Sequence, residues 1–213
     1  DEKPVKFVPI SMNYEKVLEG YSYHKEAMGD AKKRESLRSI LRVAKDFRGY
    51  LGNAYLQIGE PIDLKEFLDN NFENWADNII SEELDNSSTQ QWLYDLTPRL
   101  GKEIMKNINK ATVVTPSALF ASAILNANKF RLSKEKLKSR ISLYTNLIKL
   151  SDYSEQISIP ECDPEQVLQK VEKLQLINKL SKSKKIQLNF QQAAMLSFYK
   201  NNISHLLILD YMI

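Results

Sequence analysis

Glycine is scarce in this chain, at 6 of 213 residues, well under the roughly 7% of average usage. Glycine-rich phosphate cradles are missing with it: neither GxGxxG nor GxxxxGK[ST] occurs. A single cysteine, Cys162, makes no internal disulfide and assembles no zinc site alone, which points to a reducing compartment. Two histidines, His24 and His205, leave little material for metal or triad chemistry. No apolar run follows the opening Asp1-Glu2-Lys3, so no secretory signal pattern is read there. The start on Asp1 and the apolar Met212-Ile213 end suggest a piece of something longer.

What is present is ordinary for a globular protein, with 43% hydrophobic and 27% charged residues. The net charge of +3 is unevenly spread. Residues 1–50 hold 11 basic and 8 acidic side chains, 51–100 hold 2 and 10, and 101–213 hold 17 and 9. Such a basic–acidic–basic layout either steers acidic ligands (phosphates, acidic carrier proteins, anionic headgroups) or is solvated surface. Ala111 to Asn128 runs 18 residues without a charge, but its threonines, serines and asparagines and the Thr115-Pro116 start argue for a buried helix rather than a membrane span.

Val5–Met12 is rich in β-branched and aromatic residues and reads as a strand interrupted by Pro9, which has no ladder donor. Tyr14 to about Met28 and Lys32–Phe47 have helical spacing. Asn53–Gly59 alternates as a second strand, and Asp63 caps a short helix through about Asn70. The polar, acidic stretch Ser81–Thr89 is the candidate boundary. Helices are then expected at about 90–110, 116–128, 133–150, 164–176 and 190–211. Asp163 with Gln166 and Asn189 with Gln192 have the spacing of capping boxes. Ile177–Leu180 and Lys185–Leu188 flank a Ser-Lys-Ser-Lys turn and read as a small hairpin over 177–188. The fold class is therefore an α/β fragment, residues 1–84, giving two strands plus helices to a mixed sheet, followed by an α-rich C-terminal domain, residues 85–213.

Four phrases, in order, resemble a known family. They are FVPISMNYEKVLEG from Phe7, KKRESL from Lys32, YLQIGEPI from Tyr55, and the aromatic-basic-Asn-Asn run from Phe198 to His205. Together they are similar to bacterial glycerol-3-phosphate acyltransferases over nearly the whole chain. The resemblance implies transfer of a fatty acyl group from acyl-CoA or acyl carrier protein to the 1-hydroxyl of glycerol 3-phosphate, giving lysophosphatidic acid for phospholipid synthesis. It further implies work at the cytoplasmic face of the bacterial inner membrane, with no metal or bound cofactor.

In that family a His-x4-Asp motif supplies the base and two further motifs hold the phosphate, all upstream of a Val-Pro-Ile element. That element is Val8-Pro9-Ile10 here, so the first three motifs are expected before Asp1 and no catalytic residue is assigned in this chain. The resemblance makes Val8, Pro9, Ile10 and Tyr14 substrate-binding candidates that shape a pocket wall. His205-Leu-Leu-Ile-Leu-Asp210 fits the bare His-x4-Asp pattern. It lies in an expected helix, however, where a five-residue offset turns the two side chains about 140° apart. His24 has Gly29 at the required offset. Asn201, Asn202 and His205 belong to the family signature without an assigned role, a helix-anchoring Asn201–His205 bond being the structural alternative. Arg34, Arg38, Arg42 and Lys45 form a basic stripe that is either solvated or meets an anionic membrane surface or acidic carrier.

A rival reading comes from the pattern of residues 133–188: helix, loop, helix and a basic hairpin resemble a winged helix, an interaction or nucleic-acid-binding module with no enzymatic role. The would-be recognition helix offers only Lys170 and Lys173 and carries Glu165 and Glu172, a poor face for a phosphate backbone, so no nucleic acid is expected as a partner.

Overall fold

The computed structural model describes residues 3–17, 50–76, 89–177 and 185–208. These residues divide between two compact units, residues 1–11 with 56–111 and residues 12–55 with 112–213. The expected boundary at 84/85 and the helices expected over 18–47 lie outside the described residues.

In the first unit Pro9 does interrupt the opening strand. β1 (Lys6–Phe7) ends before it and β2 (Ile10–Tyr14) starts after it. β1 pairs antiparallel with β4 (Ile62–Asp63), Lys6 opposite Asp63 and Phe7 opposite Ile62. Asp63 then caps α1 (Leu64–Asn71), its Oδ1 accepting from the backbone N–H groups of Lys65 and Glu66; this satisfies two donors that a helix start leaves orphaned. The Arg99 guanidinium of α2 (Thr89–Lys110) lies 5.2 Å from the Phe72 ring centroid. Gly59 admits the close approach of α2: a β-carbon there would meet the Asn107 carbonyl oxygen at 2.9 Å.

β2 forms a two-stranded ribbon with β3 (Ala54–Ile58). Hydrogen bonds from Gly59 N to Pro9 O and from Glu15 N to Asn53 O join the start of one strand to the end of the other, so the pairing is antiparallel.

The second unit is built around α3 (Pro116–Leu125), the uncharged segment singled out above. Every residue from Pro116 to Ile124 is buried. Such a helix, apolar all round, must be covered on all sides. It packs against α4 (Lys134–Leu150), α5 (Pro164–Lys173) and α6 (Phe190–Asn201). Thr115 caps it through the Ala118 N–H, with Pro116 in its first turn. Both expected capping boxes are formed, Asp163 with Gln166 and Asn189 with Gln192. Burial of the Leu, Ile and Phe side chains in this cluster is worth about 1.5–3 kcal/mol each.

One local detail extends the sequence expectation and another departs from it. Lys185–Gln187 is a strand, β6, and its observed partner is β5 (Arg131–Ser133), paired antiparallel with Leu132 opposite Ile186. The other half of the expected hairpin, 178–180, lies outside the described residues. The helix expected over 190–211 is also divided: α6 ends at Asn201, and a short α7 (Ser204–Ile208) follows a turn at Asn202-Ile203. Ile203 and Leu206 are buried on the face already set by Leu196 and Tyr199, so the core-facing side continues through the turn.

Candidate functional site

The strand that carries the Val-Pro-Ile element is inside out. Along β2 the buried positions are Ser11 and Asn13, followed by Glu15, while Ile10, Met12 and Tyr14 are exposed. β3 shares the pattern, with Leu56 and Ile58 each about three-fifths exposed. A strand covering a core shows the reverse alternation, because apolar burial drives the choice of face. Val8 is half exposed, whereas Pro9 is buried and its carbonyl accepts from Gly59 N. The Tyr14 hydroxyl donates to Met12 Sδ on the exposed side of the strand.

On the opposite side the end of β2 is fixed by Glu15, which is wholly buried. Its carboxylate Oε2 accepts from Asn53 N at 3.0 Å; Oε1 accepts from the Tyr55 hydroxyl at 2.8 Å and from Lys170 Nζ at 3.2 Å. Its backbone is held equally firmly: Glu15 N donates to Asn53 O, and Glu15 O accepts from Ser117 Oγ at 2.5 Å. Gly52, in the left-handed region at φ 75°, leaves room for the carboxylate. A buried charge is tolerated when paired and saturated with donors, and that condition is met here.

The surrounding titratable groups respond. Burial pushes the Lys170 ammonium down, but its hydrogen bond to Glu15 and the charges of Glu15, Tyr55 and Cys162 outweigh this and leave it above its ordinary value. Burial raises the Tyr55 phenol; the Asn53 side chain opposes the shift and Glu15 adds to it. Burial also raises the Cys162 thiol above its ordinary range, against the pull of Lys170. A thiol held protonated is a poor nucleophile.

The remaining predicted residues are scattered. The basic stripe Arg34, Arg38, Arg42 and Lys45 lies outside the described residues, as do His24 and Asp210. Asn201 closes α6 and Asn202 follows it, while His205 sits on α7. His205 has Nε2 3.4 Å from Thr112 Oγ1 and its ring centroid 5.4 Å from that of Tyr153. Among the described residues no cluster of three His, Cys, Asp or Glu is placed to hold a metal, and no helix is long and apolar enough to cross a membrane.

The sequence argument missed Glu15 and Lys170. Glu15 stands in the NYEK phrase beside Tyr14, where an acid at a strand end reads as solvated. The signal open to inspection was the period of two: if Ile10, Met12 and Tyr14 share one face, Ser11, Asn13 and Glu15 share the other.

Comparison with known proteins gives the class. The family described as "Glycerol-3-phosphate acyltransferase C-terminal region" matches residues 23–213, and the chain belongs to it. Among curated relatives, a glycerol-3-phosphate acyltransferase of Pseudomonas syringae pv. syringae (strain B728a) is 32% identical over 205 residues, 95% of this chain and 24% of that protein. Glycerol-3-phosphate acyltransferases of Pasteurella multocida (strain Pm70) and Haemophilus influenzae (strain PittEE) are 31% and 33% identical over 215 residues, 99% of this chain and 26% of each. The chain thus spans about a quarter of the length of these relatives.

Proposed function

We propose that the complete protein containing this chain is a glycerol-3-phosphate 1-O-acyltransferase acting at the cytoplasmic face of a bacterial inner membrane, and that this chain supplies part of its acyl-donor surface. The observation that carries this reading is the inverted β2 strand. Val8, Ile10 and Tyr14, the exposed members of the candidate set, present apolar surface that the described residues do not cover, suited to an acyl chain or to the protein surface around one. Pro9 acts by shape alone, since it has no acid–base group. The Arg34/Arg38/Arg42/Lys45 stripe is assigned to an anionic headgroup surface or an acidic carrier.

The chemistry requires a base to remove the proton of the glycerol 3-phosphate hydroxyl as the oxygen attacks the thioester carbonyl. The tetrahedral oxyanion then collapses, expelling the thiolate, which recovers the proton from the base. Such a base contributes about 10²–10⁴-fold in rate. Among the described residues of the strand, Glu15 lies on the face opposite the apolar one, held by three donors, and is not placed to act as that base. The reading therefore assigns the base to residues outside this chain and requires no resident cofactor.

The test is incorporation of radiolabelled glycerol 3-phosphate from palmitoyl-CoA by the complete protein and by this chain alone. Turnover by the complete protein and none by the chain is expected. Turnover by the chain, abolished by His205→Ala, overturns the assignment of the base. A nucleic-acid role for the helical unit is disfavoured by α5: Lys170 is committed to Glu15, and Lys173 Nζ lies 4.0 Å from the Tyr50 ring centroid. Retention of duplex DNA on a filter at low salt would favour that role instead.

A further inference from the structure

Glu15 is a fully buried acid that the acyl-transfer chemistry does not use. Its burial coincides with an arrangement that apolar burial alone would reverse. Sliding β2 by one residue would turn Ile10, Met12 and Tyr14 inward and Ser11, Asn13 and Glu15 outward, because side chains alternate with a period of two. Within this chain alone, where the described residues leave the outward face uncovered, apolar burial does not select the observed register. Directional contacts do, and Glu15 supplies them. Its two oxygens meet three donors from two parts of the chain, Asn53 N and Tyr55 Oη at the paired strand and Lys170 Nζ on α5, while its own carbonyl accepts from Ser117 Oγ. A slipped strand breaks these bonds and leaves the Lys170 ammonium without its Glu15 partner. An apolar residue at position 15 would fill the space without encoding a register.

We propose that Glu15 is a positioning residue for the acyl-donor surface: its buried carboxylate locks the register of the β2 strand and thereby keeps Met12 and Tyr14 facing outward. This inference rests on the acyltransferase reading and deepens it, by assigning to the carboxylate side of the strand the task of presenting the apolar side. Glu15 acts through its neighbours on the strand and makes no contact with substrate.

The test uses the complete protein, with palmitoyl-CoA and glycerol 3-phosphate varied separately. Glu15→Gln keeps the shape but removes the charge, and Tyr55→Phe removes one donor while keeping the ring. Loss of register weakens donor binding in ground and transition states alike, so the KM for palmitoyl-CoA should rise at least about threefold while kcat and the KM for glycerol 3-phosphate stay within about twofold. A purely structural role lowers the folded fraction, which reduces apparent kcat and leaves both KM values in place; that result overturns the proposal, as does full wild-type behaviour. If Glu15→Gln does not fold, Tyr55→Phe decides by the same split. No turnover by the wild-type protein overturns the acyltransferase reading and this role with it. Wild-type turnover with unaffected variants removes the role alone.

Discussion

Gly52 and Glu15 are locked together: a β-carbon at position 52 would lie 2.5 Å from Glu15 Oε2 and 2.8 Å from Leu174 Cδ2. With φ at 75° the backbone is also in the region where a side chain adds strain. Gly52→Ala is expected to destabilise the chain by about 1–3 kcal/mol or more, since strain and steric displacement add. Gly101, inside α2, meets nothing within 4 Å, and Gly101→Ala should stabilise by about 1 kcal/mol through helix propensity. Urea midpoints of the two variants should move in opposite directions. Equal responses would refute the steric account.

Two buried serines on α3 make a second contrast. Ser117 Oγ donates to the Glu15 carbonyl, whereas Ser122 Oγ finds no hydrogen-bond partner among the described residues. Ser117→Ala should cost about 1–2 kcal/mol, and Ser122→Ala should be neutral or stabilising by up to about 1 kcal/mol. Chemical denaturation of both variants checks the pair.

Alkaline pH should weaken the fold. Burial raises Tyr199 above its ordinary value of 10.0, opposed by the Val17 N–H that its hydroxyl accepts. Tyr55, Lys170 and Cys162 are raised as well. A group with a raised folded pKa holds its proton more tightly folded than unfolded, so the unfolded chain deprotonates first and stability falls as pH rises. The contributions are complete below the ordinary values, 9.0 for Cys162, 10.0 for the tyrosines and 10.5 for Lys170, and are lost above them. Unfolding midpoints between about pH 8 and about pH 11 should decline on the basic side, less steeply in Lys170→Met. Stability rising above pH 10 would contradict these shifts.

The exposed apolar positions make no demand on stability. Leu56 and Ile58 are about 60% exposed, so Ile58→Ser should change the stability of this chain by no more than about 0.5 kcal/mol. In the complete protein the same substitution should impair turnover. A large loss of stability in the isolated chain would show that the strand face is a core face after all.

Much of the helical part was legible because its determinants are local. Asp63, Thr115-Pro116, Ser133, Asp163 and Asn189 each announce a helix start within four residues, and each is a cap in the structure. The β5–β6 pair escaped because three-residue strands carry no periodicity and join positions 131–133 to 185–187. The break after Asn201 carries no glycine or proline to announce it, and the apolar spacing of Leu196, Tyr199, Ile203 and Leu206 runs on through it as one helical face. The candidate site was half legible: Val8, Pro9, Ile10 and Tyr14 stand together in sequence, but Lys170 lies 155 positions from Glu15, and no local pattern joins them.

The all-round apolar surface of α3 has a consequence during synthesis. The covering helix α6 begins 74 residues after Pro116, at Phe190. Until the ribosome has released that segment, one flank of this buried helix has no native partner. Nascent α3 must therefore wait, partly uncovered, for a length of translation set by the distance to α6. A trigger-factor-type holdase would find its binding site there, and ribosome stalling between α5 and α6 would leave the chain prone to aggregation.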